Sequence, residues 1–217
     1  MSDDTAAARD ALVDALLRRG VVSSARVESA FRKVPREEFV PERLRTNAYV
    51  DSPLPIGGGQ TISAPHMVAI MAEALDLEDG MCVLEVGAGS GYHAAVVAEM
   101  VGPRGHVYTV ERVESLAAFA AANLERTGYS ERVTVVCGDG SKGLLEHAPY
   151  ERIFVACGAP DVPQPLVEQL SDGGKMLVPV GGGSYQELIK VERRGERFLR
   201  KNLGGCVFVP LIGEYGH

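Results

Sequence analysis

Three glycines in VLEVGAGSGYHAAVVA, Val83 to Ala98, are placed to hold a ligand. Gly87, Gly89 and Gly91 follow a short apolar run and precede a helical pattern, where a strand turns sharply into a helix. Such a loop allows unusual backbone angles and close approach of a ligand, and the helix N-terminus behind it favours an anionic group. A GxGxG alone is also what tight turn geometry demands, so its neighbours decide. Tyr92 stands where a dinucleotide fingerprint has its third glycine, which counts against a pyrophosphate on this loop. Glu111 lies 20 residues after Gly91 at the end of the next strand, where a carboxylate can accept both ribose hydroxyls. That spacing fits NAD and other adenosine ligands equally.

Two further carboxylates border the same crevice. Glu85 lies inside the first apolar strand, and an ionised carboxylate there needs a partner, because an unpaired buried charge is costly. A ligand ammonium group would supply one. Asp139, in GDG after the third strand, can accept from an adenine amino group while the Gly140 amide donates to the ring; an Asx turn is the competing reading. Adenine, ribose, ammonium and carboxylate together describe S-adenosylmethionine, whose sulfonium is a methyl donor.

Upstream, GQTISAPHMVA (Gly59 to Ala69) mixes a helix start, a proline and a histidine. Locally, Ser63 reads as the N-cap of a helix with Pro65 in its first turn, worth about 1 kcal/mol. His66 alone reads as a packed histidine. His93, His106, His147 and His217 share no ligand spacing, and no metal site is expected.

The elements that must position these residues alternate. Helical periodicity covers 10–19, 24–34 and 64–75, with an irregular, mostly extended cover expected over 35–59. Strands are expected at 81–86, 106–110, 133–137, 152–157 and 175–180, with helices through 101, over 113–126 and over 164–170. A late antiparallel pair follows at 187–192 and 198–203. Strand, helix and strand in alternation give an α/β fold with a doubly wound, mainly parallel sheet, N-terminal helices and a modified order of the last strands. We expect a single methyltransferase-sized domain over 1–217, with 1–60 as N-terminal helices and cover segment and 61–217 as the cofactor- and substrate-binding core.

The net charge of −7 argues against a broad nucleic-acid footprint. No apolar run reaches the ~18 residues of a membrane span, and the N-terminus has no signal-peptide pattern, so a cytoplasmic protein is expected. Cys82, Cys137, Cys157 and Cys206 never form CxxC, and with three of them in or beside apolar runs they read as buried free thiols.

VLEVGAGSGYHAA paired with GQTISAPHMVA, and joined by GDGSKG, APYERIFVACGAP, LVPVG with QEL, and VFVPLIGEYG, resembles the protein-L-isoaspartate O-methyltransferase family from about Val34 onward. The resemblance implies a Rossmann-like class I methyltransferase fold and S-adenosyl-L-methionine as cofactor, with S-adenosyl-L-homocysteine as product. It implies methyl transfer to the free α-carboxylate of L-isoaspartyl residues in damaged proteins and peptides. The ester then collapses to a succinimide that hydrolyses partly to aspartate. Glu85, the Gly87–Gly91 loop, Glu111, Asp139 and Gly140 carry over as cofactor contacts. Thr61, Ile62, Ser63 and His66 carry over as the segment closing over cofactor and substrate, and Val209 as a backbone partner of the substrate peptide. Ser63 is then the candidate for orienting the acceptor carboxylate. Ser141 departs from many relatives, which have a large residue after GDG. No partner other than isoaspartyl chains, and a monomer, are expected. A small-molecule methyltransferase and a non-catalytic adenosine-binding module are the alternatives; the intact TISAPHM disfavours the second.

Overall fold

The computed structural model describes residues 3–217. The chain opens with α1 (Asp3–Arg18) and α2 (Ala25–Lys33), the second capped by the Ser24 hydroxyl, which accepts from the Val27 amide at 3.2 Å. Pro35 and Pro41 each precede one 3-10 turn, over Arg36–Phe39 and Glu42–Asn47. The cover is therefore less extended than expected, because the φ that proline fixes serves a turn as readily as an extended run. β1 (Leu54–Gly57) and β2 (Gln60–Ile62) then pair as a separate hairpin, with Pro55 opposite Thr61. Gly58 and Gly59 sit at φ +58° and +71°, the left-handed pair of a tight hairpin turn.

The core alternates as the sequence predicts: α3 (Pro65–Leu75), β3 (Cys82–Val86), α4 (Tyr92–Val101), β4 (His106–Glu111), α5 (Glu114–Arg126), β5 (Val133–Cys137), β6 (Tyr150–Val155), α6 (Gln164–Glu168), β7 (Leu170–Gly182), β8 (Tyr185–Arg194) and β9 (Arg197–Cys206). Seven strands form one sheet in the order β5-β4-β3-β6-β7-β8-β9. β5 through β7 run parallel, and β8 and β9 complete the sheet as an antiparallel meander. The winding reverses between β3 and β6, so the carboxyl ends of those strands open onto the crevice of a doubly wound sheet. α6 is shorter than expected. Leu170 already pairs with Tyr150, and the register shifts before Lys175 pairs with Arg152, an irregularity that hides the strand's start from periodicity.

Both faces of the sheet's centre are buried, while the edge strand β9 is mostly exposed. Val83, Val107, Phe154 and Leu177 pack with Leu16, Phe31, Val68 and Val97 from the first four helices. Leu84, Val86, Ile153, Val155 and Met176 face the opposite way with Leu166 and Leu170. Strand periodicity puts Glu85 on the face of Val83, beneath α4. Among the described residues, no helix is long and apolar enough to cross a membrane.

Candidate active site

The glycine loop joins β3 to α4 with all three glycines at positive φ: Gly87 +96°, Gly89 +55° and Gly91 +86°. At its far wall Glu111, only 7 % exposed, accepts from the Gly89 amide through Oε2 at 3.0 Å and from the Val113 amide through Oε1 at 2.9 Å. One carboxylate thus fixes the loop against the end of β4 while lining the crevice with Gly87, Gly89 and Gly140. Gly140 is tight against the sheet. A Cβ there would lie 2.6 Å from Val86 Cγ1, so no other residue keeps this floor flat. Tyr92 does not face a phosphate; its buried ring meets Phe31 and Phe39 edge-on at centroid distances of 6.4 and 5.7 Å.

Beneath the loop, Glu85 is fully buried. Oε2 accepts from the Thr109 hydroxyl at 2.6 Å, while Oε1 has no partner. Burial, with the nearby charge of Glu111, pushes the Glu85 carboxyl up to about 8 against the pull of Thr109. The side chain lines a pocket with Ser63, Gly87, Ser90 and His93.

Gly140 lines the crevice beside the glycine loop, and Asp139 is absent from its lining. Asp139 Oδ1 accepts from the Ser141 amide at 3.0 Å and hydroxyl at 2.6 Å, and Oδ2 accepts from the Glu214 amide at 2.9 Å. The Ser141 hydroxyl in turn accepts from the Tyr215 amide at 3.0 Å. Burial pushes the Asp139 carboxyl up, but these bonds hold it below its ordinary value. Asp139 therefore caps a 3-10 turn and ties the C-terminal segment over the crevice, so the Asx reading describes its visible contacts. Ser141 is the second member of that tie.

Ser63 is not the helix cap. Ala64 holds the N-cap position of α3 without a side-chain bond, and Asp51 Oδ1 accepts from the His66 amide at 2.9 Å. The same oxygen meets His66 Nδ1 at 2.8 Å, and Arg19 Nη1 donates to Asp51 Oδ2 at 2.6 Å. Burial works against the Asp51 charge, but the bonds from Arg19 and His66 keep its carboxyl below the ordinary value. Ser63, relieved of capping, lines a groove free of Lys, Arg, Asp and Glu with His66, Met67, Val207, Val209 and Pro210. His66 lines the groove, while Thr61 of the same segment lines both the groove and the glycine-loop crevice. Ile62 is buried and lines the Glu85 pocket. Val209 lies past β9, its carbonyl accepting from the Gly158 amide at 2.8 Å.

The glycine-loop crevice, the Glu85 pocket and the groove all share Thr61 and Ala156 as lining residues. The three cavities therefore join at these two residues. Sequence reasoning placed Thr61 here but missed Ala156, Cys157, Leu211 and Ile212, which line the crevice from the end of β6 and the C-terminal segment. VACGAP after an apolar strand was the available signal. Arg36 was also missed: it is fully buried and donates to the Ser63 carbonyl. Among the described residues, no group of three or more His, Cys, Asp or Glu side chains could hold a metal.

Comparison with known proteins agrees with this geometry. The chain is 61% identical to a protein-L-isoaspartate O-methyltransferase of Methanopyrus kandleri over 96% of this chain and 93% of that one. It is 56% identical to one of Hyperthermus butylicus, covering 96% and 90%. A solved protein-L-isoaspartate O-methyltransferase superposes with a TM-score of 0.86 at 34% identity, over 96% of this chain and 67% of that one. A Plasmodium falciparum structure described as a beta-aspartate methyltransferase in complex with S-adenosyl-L-homocysteine gives 0.85 at 26% identity, covering 94% and 98%. Residues 7–216 match the model of the family described as protein-L-isoaspartate(D-aspartate) O-methyltransferase, and the chain belongs to that family.

Proposed function

We propose that this chain transfers a methyl group from S-adenosyl-L-methionine to the free α-carboxylate of L-isoaspartyl residues in damaged proteins and peptides, starting their repair through a succinimide. The observation that carries the proposal is the meeting, at Thr61 and Ala156, of a groove free of Lys, Arg, Asp and Glu with a crevice lined by the glycine loop, Glu111 and Gly140.

The residues present fit the cofactor. Gly87, Gly89 and Gly140 give the nucleoside a flat, close backbone bed, and Glu111 already faces it with a carboxylate fixed by two amides. The orphaned Oε1 of Glu85 is an acceptor waiting for an ammonium group. When bound, the cofactor supplies an electrophilic methyl group on its sulfonium. A carboxylate is already nucleophilic at neutral pH, so the protein needs no strong general base. Its task is alignment and exclusion of water. Thr61 and Ile62 close over the junction of the cavities, and the Ser63 hydroxyl orients one acceptor oxygen without neutralising the other. No Lys or Arg lines the groove, so no fixed ammonium or guanidinium dulls the nucleophile. His66, held by Asp51, faces the same groove, and the Val209 backbone is the partner for the peptide chain. Adenine is read at the Gly140 backbone, with Asp139 holding the C-terminal segment beside it. The proposal takes isoaspartyl chains as the partners and a monomer in the cytoplasm as the working form.

Two peptides differing only in isoaspartyl or aspartyl linkage test the proposal with labelled S-adenosylmethionine. Base-labile label on the isoaspartyl peptide alone is expected. Equal labelling of both, or of neither, overturns it.

A further inference from the structure

His93 is the second residue of α4, directly behind the glycine loop, and it is 7 % exposed. Its ring packs on Phe154 of β6 at a centroid distance of 4.3 Å and an interplanar angle of 45°. Phe154 is the register neighbour of Glu85, so the imidazole lies over the part of the sheet that carries this carboxylate. Glu85 and His93 both line one pocket, and each carries one buried polar atom without a hydrogen-bond partner, Oε1 of Glu85 and Nε2 of His93. Leaving one such atom unsatisfied costs about 1–3 kcal/mol. Two residues of one pocket that each carry such an atom, with Ser63 and Ser90 also in its lining, make it a place for a polar ligand end.

We propose that His93 is a cofactor-binding residue that, beside Glu85, holds the α-amino-acid end of the methyl donor. The proposal rests on the methyl-transfer reading and assigns a residue to it that no spacing pattern suggested. An α-amino acid offers an ammonium that needs acceptors and a carboxylate that needs donors. Glu85 answers only the first. A neutral imidazole can do either, accepting through a bare Nε2 or donating from a protonated one. Burial favours this neutral ring, pulling the His93 imidazole down to about 3. An apolar residue would satisfy the Phe154 contact equally well, so packing alone gives no reason for a nitrogen at this site.

Two ligands separate the amino-acid end from the nucleoside. S-adenosylhomocysteine carries that end, and 5′-methylthioadenosine lacks it. His93→Phe keeps the ring stack, and His93→Gln returns an amide of similar reach. Calorimetric titration is expected to show S-adenosylhomocysteine binding to H93F weakened about tenfold or more, with 5′-methylthioadenosine within twofold of the parent and H93Q recovering most of the loss. Free H93F should melt at or above the parent temperature, since an unpartnered polar atom has been removed. Equal weakening of both ligands, or unchanged S-adenosylhomocysteine binding, overturns the role of His93 and leaves the methyl-transfer reading standing. Failure of the parent protein to bind either ligand removes that reading and the proposal together.

Discussion

The Arg36 guanidinium, fully buried, donates through Nη2 to the backbone carbonyl of Ser63 at 2.8 Å. Its Nε donates to the Ala48 carbonyl at 2.8 Å, and its charge lies 4.8 Å above the centre of the Tyr92 ring. Burial lowers its pKa against the opposing pull of Tyr92. One side chain therefore joins the cover segment, the acceptor turn and the first residue of α4. Arg36→Met orphans two carbonyls and should cost about 2–5 kcal/mol in urea unfolding. At a temperature where the variant is folded, KM for an isoaspartyl peptide should rise while affinity for S-adenosylhomocysteine changes little. Arg36→Lys should rescue little of this, because one ammonium cannot reproduce the planar fork that reaches both carbonyls. An unchanged KM in folded R36M would confine the residue to stability.

Ser63 provides the complementary test. Since Asp51 and not Ser63 binds the His66 amide, removing the hydroxyl should leave stability within about 0.5 kcal/mol. Turnover of an isoaspartyl peptide by Ser63→Ala should fall about tenfold, the equivalent of one orienting hydrogen bond, with cofactor affinity unchanged. A drop in melting temperature or an equal loss of cofactor binding would make the hydroxyl structural.

These two residues show what was legible in the chain. The glycine loop, Glu85 and Glu111 were readable because turn chemistry and strand-end spacing are local properties. The cap of α3 was not: its acceptor, Asp51, comes from 15 residues earlier in the chain, while Ser63 has the right side chain in the nearby place. The two proline-initiated turns were missed because a fixed φ does not say which way the chain continues. His93 carried no signal, since its meaning depends on Phe154 and Glu85, residues of two other elements. Asp139 was read correctly as a residue of the third strand's end, but its immediate partners, Ser141 and the Glu214 amide, lie in a tail whose course no periodicity gives.

Glu111 should act on the nucleoside, not on the amino-acid end. It lines the crevice while its two oxygens hold the Gly89 and Val113 amides. Glu111→Ala should weaken S-adenosylhomocysteine and 5′-methylthioadenosine by the same factor, about tenfold or more, through loss of ribose acceptors and of loop order. That common loss contrasts with the selective loss expected of H93F. A selective effect of E111A on S-adenosylhomocysteine would place the carboxylate at the wrong end of the ligand.

Glu85 makes cofactor binding and folding depend on pH in opposite senses. Its folded value of about 8, against an ordinary 4.5, means that between these limits the folded protein holds a proton that the unfolded chain has lost. Stability therefore falls as pH rises across that window, because the folded state binds more protons than the unfolded one. His93, drawn down from 6.5 to about 3, works the other way, so its contribution to stability is lost as pH falls from 6.5 toward 3. Between pH 6.5 and 8 the Glu85 effect stands clear of that of His93, and Glu85→Gln should flatten the decline seen in the parent. Near pH 7 most free enzyme carries Glu85 protonated, whereas a bound ammonium favours the carboxylate. Binding of S-adenosylhomocysteine should thus release close to one proton, and affinity should rise with pH up to about 8. Titrations at pH 7 in two buffers of different ionisation enthalpy measure that release, and E85Q should abolish it. An equal proton release from E85Q would assign the titration to another group.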